Sequence, residues 1–245
     1  MKNKKSAYRF TMYILGFILL ALGITLNTKC GLGVSPIISV AYTFSLILNT
    51  KLGNTTFILY FVFVILEFII HTIRKQPKKV LICDALQIVV NIVFTRFINI
   101  FSDFIPQLDT AYKGEWQGSL PFRIFILIIA IILTGVGAAM SLNMRIVPNP
   151  GDGIVQAIAD ATGKSVGFCK NCWDLFMVAI STVFTLTMYT KIAETPIKSF
   201  LSVIGLGTIL AVIGVGRVIA IFNYLTYGKM TLKAGINPLF DKKSK

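Results

Sequence analysis

A chain of 245 residues that is 55% hydrophobic and 14% charged, with a mean hydropathy of +0.77, lacks the polar side chains to coat a water-soluble globule of its size. Its formal charge of +14 does not indicate nucleic acid, because the basic residues fall in short loops and tails between apolar runs, as the positive-inside rule has it. The four cysteines lie in or at the ends of those runs and read as small buried hydrophobes; Cys169 and Cys172 form a C-x-x-C without the βαβ setting of a redox motif.

The first apolar run follows a tail carrying Lys2, Lys4, Lys5 and Arg9 and predicts a helix over 8–27. No small-residue cleavage site closes it, so it is read as a retained span and not as a signal peptide. Gly31, Gly33 and Pro36 then break the chain, and Pro36 suits the first turn of a new helix over 36–49. That helix is too short to cross about 30 Å of hydrocarbon, and it reads as re-entrant or as a broken half-helix. Spanning helices are expected over 55–73 and 80–104, joined by a basic loop with Arg74, Lys75, Lys78 and Lys79 that belongs on the cytoplasmic side. A polar connector over 106–121 separates two halves. The second half starts with a spanning helix over 122–143, followed by a polar, broken stretch that holds a short helix over 151–162. Spanning helices over 166–188 and 197–227 complete it, the last long enough to tilt or kink. A basic tail over 229–245, with Lys229, Lys233, Lys242, Lys243 and Lys245, is expected in the cytoplasm.

The halves align. Residues 23–29 match 139–145, Pro36 to Gly53 has the same spacing of 17 as Pro150 to Gly167, and Arg96-Phe97-Ile98-Asn99-Ile100-Phe101 matches Arg217-Val218-Ile219-Ala220-Ile221-Phe222. Three spans per half is an odd number, so the second half must sit inverted relative to the first. The expected fold is therefore an all-α membrane protein of six transmembrane helices plus two short re-entrant helices, built as an inverted 3+3 repeat of residues 1–105 and 122–228. Basic residues agree: with both termini inside, sixteen fall on the cytoplasmic side and six outside.

Two broken helices at membrane depth point to a cavity between the halves, since only protein or trapped water can satisfy their backbone groups. Each short helix would aim N–H groups and a positive dipole end into that cavity, around Gly31, Gly33 and Ser35 on one side and Gly151, Asp152 and Gly153 on the other. The bland alternative is that these glycines mark ordinary turns at the membrane surface. Arg96 and Arg217 are charges inside apolar helices; they either serve an anionic solute from opposite ends of one pathway or snorkel to the nearer interface. Lys170 and Asp174, four apart on one helix, can pair with each other or shape selectivity. Glu67, Asp84 and the single histidine, His71, lie near helix ends where solvation is expected; the alternative for Glu67 or Asp84 is a partner for an internal arginine or a proton-coupling group. No nucleophile–base pair, metal-ligand spacing or nucleotide motif stands out, so neither an enzyme nor a cofactor nor a metal is expected; Gly163-Lys164-Ser165 fails as a phosphate loop because Ile158 occupies its first glycine.

Gly31-Leu32-Gly33-Val34-Ser35-Pro36, Asn149-Pro150-Gly151-Asp152-Gly153, Gly167-x-x-Lys170-x-x-x-Asp174 and Gly205-Leu206-Gly207-Thr208 resemble the G-x-G-x-x-P, G-P-x-D-G, G-x-x-R-x-x-x-E and G-x-G-T segments of the YczE/YyaS/YitT group of bacterial integral membrane proteins. The likeness spans about 16–222. Lys170 and Asp174 replace the group's Arg and Glu with the charges kept, and Ile37 and Ile38 leave the first half without the acid that follows Pro150. The resemblance implies the bacterial inner membrane and brings no activity with it. The expected function is a small secondary transporter that moves a small anionic solute by alternating access. The alternatives are a solute-binding subunit or sensor that needs a partner protein and, behind it, a membrane enzyme. The partners expected are the lipid bilayer and the solute, with homo-oligomerisation open and no nucleic acid.

Overall fold

The computed structural model describes residues 2–236, with side chains from residue 5 on. Every regular element among them is helical: α1 (Lys2–Lys29), α2 (Pro36–Ile47), α3 (Leu52–Ile73), α4 (Lys78–Phe104), α5 (Leu108–Ala111), α6 (Leu120–Asn143), α7 (Pro150–Thr162), α8 (Val166–Thr187), α9 (Pro196–Val203) and α10 (Leu206–Lys233). Five stretches are long and apolar enough to cross a bilayer: Lys5–Lys29, Leu52–Ile73, Lys78–Ala111, Leu120–Asn143 and Pro196–Lys233. Their outward faces carry Ile58, Phe61, Ile65, Ile128, Ile132, Ile209 and Ile213, all exposed, which only lipid covers. α8 is as long as α3 but falls outside these five, because Lys170, Asn171 and Asp174 occupy its first three turns.

Both short helices begin at the expected prolines, which sit at the first helical position, where the missing N–H is no loss. The last expected helix, 197–227, differs. It is two helices, α9 and α10, interrupted at Ile204 and Gly205, and α10 runs on to Lys233. The interruption exists because another segment is docked there: a side chain at Gly205 would come within 2.6 Å of the Leu32 carbonyl oxygen. Lys242, Lys243 and Lys245 of the expected tail lie outside the described residues.

α1 and α6 run antiparallel at backbone contact. A Cβ on Gly23 would lie 2.5 Å from the Thr134 amide nitrogen and 2.8 Å from the Ala130 carbonyl oxygen; a Cβ on Gly137 would collide with the Leu20 amide and come within 2.6 Å of the Gly16 carbonyl. Small residues at a helix crossing are the usual way for spanning helices to gain packing, since lipid gives them no hydrophobic drive to associate. α4 flanks α1, α10 flanks α6, and α3 packs on α4. The short helices cross over: α2 packs against α8 as well as α3, and α7 packs against α3 as well as α8.

The segments between α1 and α2 and between α6 and α7 leave the helical ladder, and their peptide groups find partners elsewhere in the chain. At the first break the Arg123 guanidinium, at the start of α6, donates from Nε to the Cys30 carbonyl and from Nη2 to the Gly31 carbonyl, both at 2.6 Å. The Leu32 carbonyl accepts from Gly207 N–H at 2.6 Å, Val34 N–H donates to the Val203 carbonyl at 2.9 Å, and Ser35 N–H donates to Asn27 Oδ1 at 3.0 Å. At the second break Arg9, at the start of α1, donates from Nε to the Met144 carbonyl at 2.6 Å and from Nη2 to the Arg145 carbonyl at 2.5 Å, while the Tyr13 hydroxyl donates to the Val147 carbonyl at 2.7 Å. Arg9 and Arg123 stand 114 positions apart, and so do Cys30 and Met144, and Gly31 and Arg145. The same offset relates Gly23 to Gly137 and Leu20 to Thr134, so the α1 and α6 contacts correspond two residues away from the alignment of 23–29 with 139–145 expected from sequence.

Arg123→Ala strands the carbonyls of Cys30 and Gly31, and Arg9→Ala strands that of buried Met144, the Arg145 carbonyl lying on the exposed side, at roughly 1–3 kcal/mol for every buried group left unpaired. Discounted for the half-exposed guanidinium, each variant is expected to lose about 1–3 kcal/mol of stability. The lysine variants should recover part of the loss, because an ammonium lacks the two-pronged geometry. Melting of the detergent-purified variants followed by tryptophan fluorescence checks this; unchanged Tm values in both alanine variants contradict the clasp.

Candidate functional site

The two breaks deliver the first turns of α2 and α7 to a common point, where a cavity of about 60 Å³ lies between them. Leu20 and Ile24 of α1, Thr134 and Ala138 of α6, and Val215 and Ile219 of α10 form its apolar walls. Its polar groups are Ser35, Tyr60, Asn149, Asp152 and Lys170. Four pairs of lining residues, Leu20 and Thr134, Ile24 and Ala138, Ser35 and Asn149, Ile37 and Gly151, stand 114 apart, so both halves of the chain contribute to its walls.

The charges come from the second half. Asp152 is in the first turn of α7 and Lys170 in the second turn of α8, and Lys170 Nζ lies 3.3 Å from Oδ2 of Asp174, which is itself buried. The other Asp174 oxygen has no hydrogen-bond donor. Asn149, the residue that caps α7, is 5% exposed, and its Oδ1 also lacks a partner, so a buried acceptor stands open on the cavity wall. Tyr60 stacks on Phe94 with ring centroids 6.1 Å apart and planes within 4°. That stacking holds its hydroxyl 3.1 Å from where a Cβ on Gly151 would be, so glycine there lets α7 approach the phenol.

Of the residues expected at the site, the structure brings together Ser35, Gly151, Asp152 and Lys170, with Asp174 behind Lys170. The others are elsewhere. Gly31 and Gly33 have positive φ angles of 62° and 96° and shape the first break: Gly31 faces Asp109 and Arg123, and Gly33 lies against Gly205 and Thr208. Gly153 faces away from this cavity, toward Glu67. Arg96 and Arg217 are exposed on the outer surfaces of α4 and α10 and line none of its walls. The backbone donors are also committed: Val34 and Ser35 N–H are bonded as described, and Asp152 and Gly153 N–H both donate to the Asn149 carbonyl, at 2.9 and 2.8 Å. The expectation that free N–H groups at 33–35 and 151–153 grip an anion is corrected for these four groups, whose protons satisfy the protein itself. His71 and Asp84 are corrected too. In place of solvated helix ends, the His71 ring nitrogen Nδ1 lies 2.8 Å from Asp84 Oδ2, and both side chains are buried.

Sequence reasoning missed Tyr60 and Thr134 as wall residues, and nothing in their apolar surroundings singles them out. Asn149 was within reach: it stands 114 positions from Ser35, and each precedes the proline that opens a short helix. Cys169 is buried and Cys172 exposed, so that pair does not meet. Among the described residues no group of three or more His, Cys, Asp and Glu could hold a metal ion.

Lys170→Met leaves buried Asp174 without its cation. Breaking a fully buried pair costs about 3–5 kcal/mol; with the lysine partly exposed, a loss of about 1–3 kcal/mol is expected. Lys170→Met/Asp174→Leu should recover most of it, because both charges leave together. A double-mutant cycle on thermal melts measures the coupling, and additive losses contradict the pairing.

Comparison with known proteins agrees with the membrane character of the chain. Residues 7–224 match a family described as a family of unknown function, DUF6198. The chain is 26% identical over 168 residues to the uncharacterized membrane protein YczE of Bacillus subtilis (strain 168), a stretch that covers 68% of this chain and 70% of that protein. No solved structure matches the chain. The family match takes in both helix breaks and all the polar residues of the cavity, and the chain belongs to DUF6198, a family of YczE-like membrane proteins.

Proposed function

We propose that this protein is a small secondary transporter of the bacterial cytoplasmic membrane that binds a small polar solute in the cavity between α2 and α7 and exposes it to each side in turn. α8 is read as the sixth span, lined on its polar turns by protein instead of lipid, and the two halves as an inverted 3+3 repeat with both termini cytoplasmic. The observation that carries the reading is the cavity at the centre of a reciprocal contact. Arg9 of one half holds the break of the other and Arg123 returns the contact, 114 positions on in every participant. At about 60 Å³ the cavity has room for a few water molecules, against roughly 300 Å³ for the smaller ligand pockets. A solute of ordinary size needs the walls to move apart, and alternating access supplies such a movement.

The groups on the cavity wall define the solute class. With Arg96 and Arg217 on the outer surface, the cations of an anion site are reduced to Lys170, and Asp152 shares the same wall. The Asp152 carboxylate, the Lys170 ammonium that also pairs with Asp174, and the open acceptor of Asn149 fit a solute that carries both charges, in the manner of an amino acid, better than a simple anion. Arg96 and Arg217 then serve as interfacial charges that reach toward lipid headgroups.

Uptake into proteoliposomes of the full chain, offered a mixture of isotope-labelled amino acids and small organic acids, tests the reading. Accumulation of a zwitterionic component is expected, and Asp152→Asn and Lys170→Gln should each reduce it by about tenfold or more, since hydrogen bonds to charged groups contribute about 1.5–3 kcal/mol. Arg96→Gln and Arg217→Gln should stay within about twofold, as surface charges do. No accumulation of any component above empty liposomes rejects the transporter reading for the chain acting alone.

A further inference from the structure

We propose that Glu67 is a proton-binding group, loaded from a second cavity between α3, α4 and α7 and joined through the first turn of α7 to Asp152, so that proton binding at Glu67 and solute binding in the central cavity influence each other. The proposal rests on the reading of the central cavity as the solute site.

The second cavity has a volume of about 290 Å³, and Glu67, His71, Asp84, Gln87, Gly153 and Asp160 are among its walls. Its mouth carries exposed Lys79 and Asp160, while Glu67 is 1% exposed. One Glu67 oxygen, Oε2, accepts from Gln87 Nε2 at 2.6 Å; the other, Oε1, has no partner. Among the described residues no lysine or arginine pairs with Glu67 within 4.0 Å, and no metal-holding cluster surrounds it. A buried carboxylate with neither a cation nor a full set of donors is costly, and a proton on the open oxygen removes that cost.

α7 carries the effect onward. A Cβ on Gly153 would come within 2.6 Å of Oε1 and 2.7 Å of Oε2, so the Glu67 carboxyl lies directly on the α7 backbone, and only glycine admits it there. The preceding residue, Asp152, faces the central cavity. The two carboxyls thus sit on either side of one helical turn, each in its own cavity. The other titratable and charged groups around Glu67 are His71 on α3, Lys79, Cys83 and Asp84 on α4, and Asp160 on α7; α2, also packed on α3, has no charged residue. A negative charge on Asp152 favours a proton on Glu67, and by linkage a solute that neutralises Asp152 favours its release.

Dicyclohexylcarbodiimide, which adds to protonated carboxyls in apolar surroundings, is applied to the full chain in proteoliposomes between about pH 5.5 and 8.5, and the modified residue is located by peptide mass spectrometry. Glu67 is expected to be modified, with an extent that falls about tenfold per pH unit above its midpoint, the slope of a single proton. Asp152→Asn should move that midpoint to lower pH, because it removes the neighbouring negative charge. Glu67→Gln abolishes the modification at this position; should that variant not fold, Glu67→Asp keeps a titrating group and should keep a pH-dependent reaction. No modification of Glu67, equal modification at both ends of the range, or a midpoint that Asp152→Asn leaves in place overturns the proposal. These readouts need no solute. A chain that titrates at Glu67 but takes up nothing from the mixture overturns the transporter reading alone, and a chain that transports with Glu67 inert overturns only this proposal.

Discussion

The carbonyl groups at a helix break lose their helical partners, and this chain gives each break one arginine. Arg123 closes on Cys30 and Gly31, Arg9 on Met144 and Arg145, each with two guanidinium donors. A break left unpaired would lose roughly 1–3 kcal/mol for each buried peptide group. Each break is held by the helix that begins the other half of the chain. The remaining peptide groups of the first break go to a third segment, the interruption between α9 and α10, through Leu32 with Gly207 and Val34 with Val203. That interruption is the complement of the break it serves: Gly205 has no side chain because the Leu32 carbonyl occupies the space.

The clasps depend in turn on how closely α1 and α6 pack. Gly23 and Gly137 let the two backbones touch, and this fixes the antiparallel register that brings Arg9 to Met144 and Arg123 to Cys30. The contact is self-complementary, with Gly23 on Thr134 and Ala130 and Gly137 on Leu20 and Gly16. It also forms one side of the cavity, through Leu20, Ile24, Thr134 and Ala138.

Charge is distributed unevenly between the two halves of the chain. The first half brings Ser35, Ile37 and Tyr60 to the central cavity, and the second brings Asn149, Asp152 and Lys170. The second cavity adds Glu67 and the His71–Asp84 pair on the other side of α7. α7 thus separates two polar spaces, with Asp152 toward one and Gly153 toward the other. Gly153 is as informative as the charged residues, since its missing side chain is where the Glu67 carboxyl lies.

The amino-acid sequence by itself determined the membrane class, the two breaks, the prolines that open both short helices and the polar character of 142–174, because hydropathy and Gly/Pro punctuation belong to a residue and its immediate neighbours. It also pointed to Ser35, Gly151, Asp152 and Lys170, which lie beside those signals. It left Arg96 and Arg217 open between a solute pathway and the interface: a charge in an apolar run is visible, but the face of the helix it occupies is not, and both are on the outside. It treated Arg9 and Arg123 as tail and loop charges, although Arg9 meets Met144, 135 residues away, and Arg123 meets Cys30, 93 residues away, and it set Glu67 near a solvated helix end with proton coupling as the alternative, where the structure buries it. The sequence likewise did not show that the final span is interrupted: Gly205 and the Thr208 that caps it are visible, but the Leu32 carbonyl docked against them is not. Only the tertiary structure decided these points, since the partner of a buried peptide group or carboxyl is chosen by which helices reach backbone contact, and in this chain that choice is made by the glycines between α1 and α6.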